Sequence, residues 1–213
     1  MENLKEVSYQ IKGLTALLTH SPIAANPLSR YAQIMKELTS KKKKTDADYA
    51  EIARVDWEAG LYLTPIIDSE GNKREDGVVC LPAHVIDSCL LNGAKKIKEG
   101  PKYKLGVMFL KDYFELDYEG QKIVTNGGRG TIPNPNLDKF YEQYKHQEMV
   151  KVNKAPVLRT RPIFYNWSTT IKFVFDTTVL NERTIDAIVQ KAGNECGLCE
   201  QRPRLGRFSV KKI

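Results

Sequence analysis

The stretch from Pro156 to Ile213 constrains the fold more than any other. PVLRTRPIFYNWSTTIKFVFD has the composition of a long strand, NERTIDAIVQKAG that of a helix, and RFSVKKI that of a closing strand. Between helix and closing strand lies the loop NECGLCEQRPRLG. In the long strand Ile163, Tyr165, Trp167, Ile171, Phe173 and Phe175 share one parity, which assigns them to the core. Asn166, Ser168, Thr170 and Lys172 take the other face. In the last strand Phe208 and Val210 point inward, leaving Arg207, Ser209 and Lys211 outward. Near the start of the chain Val7, Tyr9 and Ile11 alternate with Ser8, Gln10 and Lys12, again a half-buried strand. Placed together, the three strands predict one antiparallel sheet with helices behind it. Its open face would carry Ser8, Gln10, Lys12, Thr170, Lys172, Arg207 and Lys211.

The middle of the chain supplies helices and short strands. Asn26-Pro27 reads as a helix start, and Leu28, Tyr31, Ile34 or Met35, and Leu38 follow at helical spacing. Lys41 to Lys44 form a solvated loop. Thr45 and Asp48 make a capping box for a helix through Tyr49, Ile52, Ala53 and Trp57 that ends near Gly60. LYLTPII and VVCLP are strand-like and flank the polar turn SEGNKREDG. Pro82 opens a helix whose inner side holds Val85, Ile86, Cys89, Leu90, Ala94 and Ile97. Residues 102 to 125 read as strands, the last two joined across a turn at Asp117 to Gly120. TNGGRGTIPNPN is a loop, and a short helix spans residues 137 to 145. The expected class is α+β, one domain over residues 1–213 with a helical and hairpin insertion around 26–155.

Charge narrows the class of partner. The 213 residues carry a net charge of +7. Residues 151 to 213 hold 12 Lys and Arg against 5 Asp and Glu, and so the whole excess. Arg202, Arg204 and Arg207 crowd a glycine-bearing loop, where guanidinium groups suit phosphate oxygens. Arg159 and Arg161 precede the long strand beside Pro162, a residue of edges and bulges. Arg129 sits in the TNGGRG loop. Tyr165 and Trp167 are assigned to the core by parity and not to base stacking. Cys196 and Cys199 form a CxxC, but the only other cysteines, Cys80 and Cys89, do not complete a four-ligand zinc spacing, so neither metal nor cofactor is expected. No P-loop, HExxH, GxSxG or GxGxxG occurs. Of the three histidines, only His20, between a strand and a helix, is placed for acid–base work. The chain shows no apolar run long enough for a bilayer and no secretory h-region, and its sparse cysteines point to a reducing cytoplasm.

Three segments carry a family resemblance. IKGLTALLTH, VCLPAHVIDSCLLNGAKK and the ending GLCEQRPRLGRFSV together resemble the RAMP superfamily, ferredoxin-like proteins that include backbone subunits of CRISPR effector complexes. The likeness covers most of the chain and is most specific at Gly197 to Gly206. RPIFYNW with AGNECGLCEQRPRLGRFSV is also similar to a protein type common in tailed-phage genomes. The resemblance implies a modified ferredoxin-like (RRM-like) fold, single-stranded RNA or DNA held along a basic surface, and side-by-side assembly on the strand. Some members are metal-independent endoribonucleases with a histidine near the first helix, a position that His20 matches. The expectation is therefore a non-enzymatic nucleic-acid-binding protein in a phage or CRISPR-related setting, in the host cytoplasm if phage-encoded. Its contact residues would be Lys12, Arg129, Arg159, Arg161, Lys172, Arg202, Arg204, Arg207 and Lys211. The alternatives are a protein-interaction factor that blocks or mimics a defence complex, a virion component, or a ribonuclease using His20.

Overall fold

Period-two alternation makes β1 (Leu4–Gly13) a strand with one wet face: Val7, Tyr9 and Ile11 are buried, whereas Gln10 and Lys12 are exposed. The computed structural model describes residues 3–67, 73–74, 77–118, 120–122, 135–152 and 154–213. After β1 come β2 (Leu17–Leu18), a 3-10 turn (Pro22–Ala25), α1 (Arg30–Ser40) and α2 (Asp46–Ala59). Three short strands follow, β3 (Ile66–Ile67), β4 (Lys73–Arg74) and β5 (Cys80–Pro82), and then the helix α3 (Ala83–Lys96). Next are α4 (Gly100–Gly106), β6 (Val107–Met108), β7 (Tyr113–Glu115), β8 (Asp117–Tyr118) and β9 (Gln121–Lys122). The chain continues with α5 (Pro135–Tyr144), β10 (Lys145–Val152), β11 (Ala155–Phe164) and β12 (Trp167–Asp176). It closes with α6 (Glu182–Lys191), a π turn (Ala192–Cys196) and β13 (Phe208–Lys212). The protein is thus α+β, and the strand pairings among the described residues are antiparallel.

The main sheet puts β1 between β13 and β12, with β6 and β8 sharing the far edge of β12. Following β1, α3, β6, β12, α6 and β13, the chain traces a β-α-β-β-α-β order. α3 and α6 cover one face. Ile86 and Leu90 from α3 and Ile185, Ile188 and Val189 from α6 join Tyr9, Ile11, Ile171, Phe173 and Phe175 in one core. Each such fully buried side chain contributes about 2 kcal/mol of apolar transfer. The two helices approach so closely that a Cβ on Gly93 would lie 2.7 Å from the Ile188 carbonyl oxygen. α1 and α2 form a satellite core of Tyr31, Leu38, Val55 and Ala59. No helix among the described residues is long and apolar enough to cross a membrane.

Several sequence expectations need correction. The long strand is two, β11 and β12, broken at Tyr165 and Asn166. Lys12 pairs with Ser168, but Leu17 pairs with Phe164, so four residues of one chain segment face three of the other. That extra residue is a bulge, which switches the inward parity. Ile163 and Phe164 are consequently both buried, and Tyr165, assigned to the core from sequence, is 58% exposed. The Trp167 indole anchors the break by donating to the Thr15 carbonyl oxygen at 2.9 Å and packing over Gly13. The first helix starts later than Asn26-Pro27 implies: Ser29 caps α1, and Asn26 instead accepts from the Leu28 amide in a turn. Leu28 is 81% exposed as a result. Residues 102 to 106 are helical, in α4, where a strand was expected. The strand β10, which includes His146 and pairs with β11 from Lys145↔Pro162 to Val152↔Ala155, was not foreseen. The capping box at Thr45 and Asp48 is present with both reciprocal bonds. Most of the TNGGRGTIPNPN loop, including Arg129, lies outside the described residues.

Candidate nucleic-acid interface

The arginine loop is held open by backbone pairing, and this is what glycine permits. The Gly206 amide donates to the Ala16 carbonyl oxygen at 2.7 Å, and the Glu200 amide donates to that of Leu18 at 3.0 Å. The Leu198 amide closes the loop on the Gly206 carbonyl oxygen at 2.9 Å. Both Gly197 and Gly206 have φ of +74°, and a Cβ on Gly206 would sit 2.0 Å from the Leu198 carbonyl oxygen. Only a residue without a side chain fits there. With Leu198 buried as the inner anchor, Arg202, Arg204 and Arg207 are all exposed. Arg207 is tied down by its backbone alone, donating to Thr15 Oγ1 at 2.9 Å and accepting from the Leu14 amide at 2.8 Å.

The open sheet face continues from this loop. Lys12 lies opposite Ser209 on β13 and Ser168 on β12, and Gln10 lies between Lys211 and Thr170. Arg207, Ser209 and Lys211 share one face, so the stripe from Arg207 to Lys211 is ~13 Å long. Among the described residues, Lys12, Arg202, Arg204, Arg207 and Lys211 make no ion pair. Arg204 does hydrogen-bond the Gln201 carboxamide oxygen. Lys172 differs, because it binds Glu6 at 2.7 Å.

The helix-covered side has the opposite character. Lys5 and Lys212 bind Glu182, Lys212 also binds Asp186 at 3.0 Å, and Lys96 and Lys191 bind Glu195. Hydrogen bonds from Lys212 and Lys5 hold the Glu182 carboxyl down at about 2. These four lysines are neutralised locally, whereas Lys12, Arg207 and Lys211 on the open face are not.

One of the expected contact residues, Arg159, is engaged in the core of the fold. Arg159 donates to Asp56 Oδ1 at 3.1 Å, while Asp56 Oδ2 accepts from the Thr160 amide at 2.8 Å. Asp56 is 8% exposed, so this pair fixes α2 to β11. Arg161 has a buried Nε without a hydrogen-bond partner. It faces His20, whose pKa burial depresses and the Arg161 charge depresses further, against opposing pulls from Glu200 and Asp56. His20 Nδ1 is buried and unpartnered, and its carbonyl oxygen accepts from the Tyr62 hydroxyl at 3.1 Å. Tyr62 is pushed up to about 12, first by burial and then by Cys199 and Glu200, with Arg202 opposing. Tyr62 therefore sits where the histidine and the arginine loop meet, a position no local motif announces.

The CxxC pair shows no sign of activation. Burial raises the thiol pKa of both Cys196 and Cys199, and Cys80 and Cys89 are pushed up to about 12 by the same cause. Low-pKa thiols are the reactive ones, so these four stay protonated at neutral pH. Among the described residues no three His, Cys, Asp or Glu side chains group as metal ligands. Trp167 is wholly buried and cannot stack on a base, but Tyr165 presents an exposed ring beside the bulge. No protein-family model matches the chain, and no curated protein matches it.

Proposed function

We propose that the protein binds single-stranded nucleic acid without cleaving it, using the arginine loop and the adjoining sheet edge on the phosphate backbone. The observation that carries this reading is a run of exposed cations without ion pairs. Lys12, Arg207 and Lys211 share the open face, and Arg202 and Arg204 lie in the adjoining loop. None of the five makes an ion pair among the described residues, whereas Lys5, Lys96, Lys191 and Lys212 behind the sheet are matched by Glu182, Asp186 and Glu195. Unneutralised cations repel one another, and a polyanion removes that repulsion while releasing its own counterions. A ~13 Å stripe matches about four stacked nucleotides. Kinship with RAMP proteins, proposed from the likeness of the terminal loop, agrees with a backbone-tracking mode.

The test is fluorescence anisotropy with single-stranded RNA and DNA at rising salt, for the wild type and an Arg202/Arg204/Arg207→Ala variant. Loss of three phosphate contacts should reduce the slope of log affinity against log salt by about 2. Unchanged binding by the triple variant, or no binding by the wild type at low salt, overturns the reading.

A further inference from the structure

Arg161 is a half-buried cation that lacks an acceptor. The pairing of β10 with β11 sets it directly opposite His146, and residues paired in this way project from the same face. On the other side of β11 the Thr19 amide donates to the Pro162 carbonyl oxygen at 3.0 Å, so His20 follows beside Arg161 at the end of β2. Imidazole, guanidinium and imidazole thus stand in one row across three strands, about 10 Å wide. All three residues are half-buried. Among the described residues the Arg161 side chain makes no hydrogen bond and no ion pair. Its Nε and the Nδ1 of His20 are sealed by packing. The remaining two nitrogens of Arg161 and the Nε2 of His20 are neither enclosed nor bonded among the described residues, so these are the atoms a ligand can reach. A guanidinium held in this way is costly until an acceptor arrives, and phosphate oxygens suit its fork.

Hydrogen bonds join the row to the arginine loop. Arg204 donates to the Gln201 carboxamide oxygen, and the Gln201 amide donates to Glu148 Oε2. That same oxygen lies 3.9 Å from His146 Nε2. The surroundings of the row stop a strand from running on past it. In one direction the next pair is Glu148 and Arg159, and Arg159 is already claimed by Asp56. Glu200, whose amide donates to the Leu18 carbonyl oxygen at 3.0 Å, adds an acid on the His20 side. In the other direction Leu18 and Ile163 are buried. A continuing phosphodiester chain would meet carboxylates one way and packed apolar side chains the other. The last phosphate of a chain meets neither, and it offers three acceptor oxygens and a second negative charge.

We propose that Arg161, with His146 and His20 beside it, seats the terminal phosphate of the bound strand. The inference rests on the nucleic-acid reading above, and adds to backbone contact a means of choosing a strand end.

The experiment uses one single-stranded sequence, as RNA and as DNA, with a 5′-phosphate, a 3′-phosphate or hydroxyls at both ends. Affinities are read by anisotropy at moderate salt. One phosphorylated end should bind about tenfold more tightly than the unphosphorylated strand, the worth of one hydrogen bond between charged groups. The preferred end gives the direction of the strand. Arg161→Gln and His146→Gln should each erase most of the preference while the unphosphorylated strand still binds in a salt-dependent way. Lys211→Gln removes the same charge as Arg161→Gln, but from the open face, and should weaken all three strands alike. Thermal melts confirm that each variant is folded. Equal, salt-dependent binding of all three strands by the wild type overturns the end site and leaves the phosphate reading standing. A preference that survives in both Arg161→Gln and His146→Gln, or that Lys211→Gln erodes as much as Arg161→Gln does, likewise overturns it. Failure to bind any of the strands overturns both proposals.

Discussion

Asp56 shows how one buried acid redirects a basic residue. Arg159 belongs by composition to the positive C-terminal third, yet its guanidinium completes a pair with an aspartate that also caps the Thr160 amide. Asp56→Ala should cost about 3 kcal/mol in urea unfolding, since it leaves the Thr160 amide and Arg159 without their acceptor. Arg159→Ala should cost stability while leaving the salt dependence of nucleic-acid binding unchanged. A lowered salt slope would place Arg159 in the interface after all. His20 gives a second test at this scale. Its folded pKa lies below the ordinary value near 6.5, so the unfolded chain binds the proton more readily. Stability should therefore be full above about pH 6.5 and fall as the pH drops below it, until His20 titrates in the folded state as well. Urea midpoints from about pH 5 to 8 should show this fall, and His20→Gln should flatten it.

The terminal loop works as an element because its two glycines allow close backbone pairing. Gly206→Ala forces a side chain into a left-handed conformation and against the Leu198 carbonyl oxygen. The expected cost is ~2 kcal/mol or more. Hydrogen exchange at the Leu198 and Gly206 amides should quicken before the rest of the sheet loosens. Slow exchange at both amides in the variant would show that the loop does not depend on this glycine. The break between β11 and β12 is the other decisive element. It turns Tyr165 out and buries Phe164, the reverse of what strict alternation across PIFYNW implies. Pro162 signalled a bulge in sequence, but a bulge can fall at any of several neighbouring residues. Its place is set by the partner strand, where Gly13 makes room for the Trp167 ring.

Across the whole molecule, the cations without ion pairs at Lys12, Arg207 and Lys211 line one open face of the sheet. Charge reversal should therefore depend on position more than on number. Lys12→Glu with Lys211→Glu changes the net charge as much as Lys42→Glu with Lys43→Glu does. The first pair should weaken oligonucleotide binding about tenfold or more. The second, in the loop between α1 and α2, should act only through the screened long-range field and change affinity by less than about threefold. Equal effects in a titration at moderate salt would mean that net charge, not the edge, drives binding.

Alternation and capping were readable from the chain because they depend on near neighbours. Val7, Tyr9 and Ile11, the cap at Thr45, α6 behind Asn181, and the exposed Arg202, Arg204 and Arg207 all follow from local pattern. The α+β class and a common sheet for β1, the long strand and the last strand could be inferred from these, whereas the order that puts β1 in the middle could not. The strand β10 was not legible, because Lys, His, Gln and Glu fill five of its positions and leave Met149, Val150 and Val152 without a clear alternation. What tertiary structure alone decided is where distant side chains meet. Asp56 claims Arg159 from 103 residues away, Glu6 claims Lys172, and Tyr62 comes to lie between His20 and the arginine loop. Composition counts a charge, but only packing determines whether that charge is already matched.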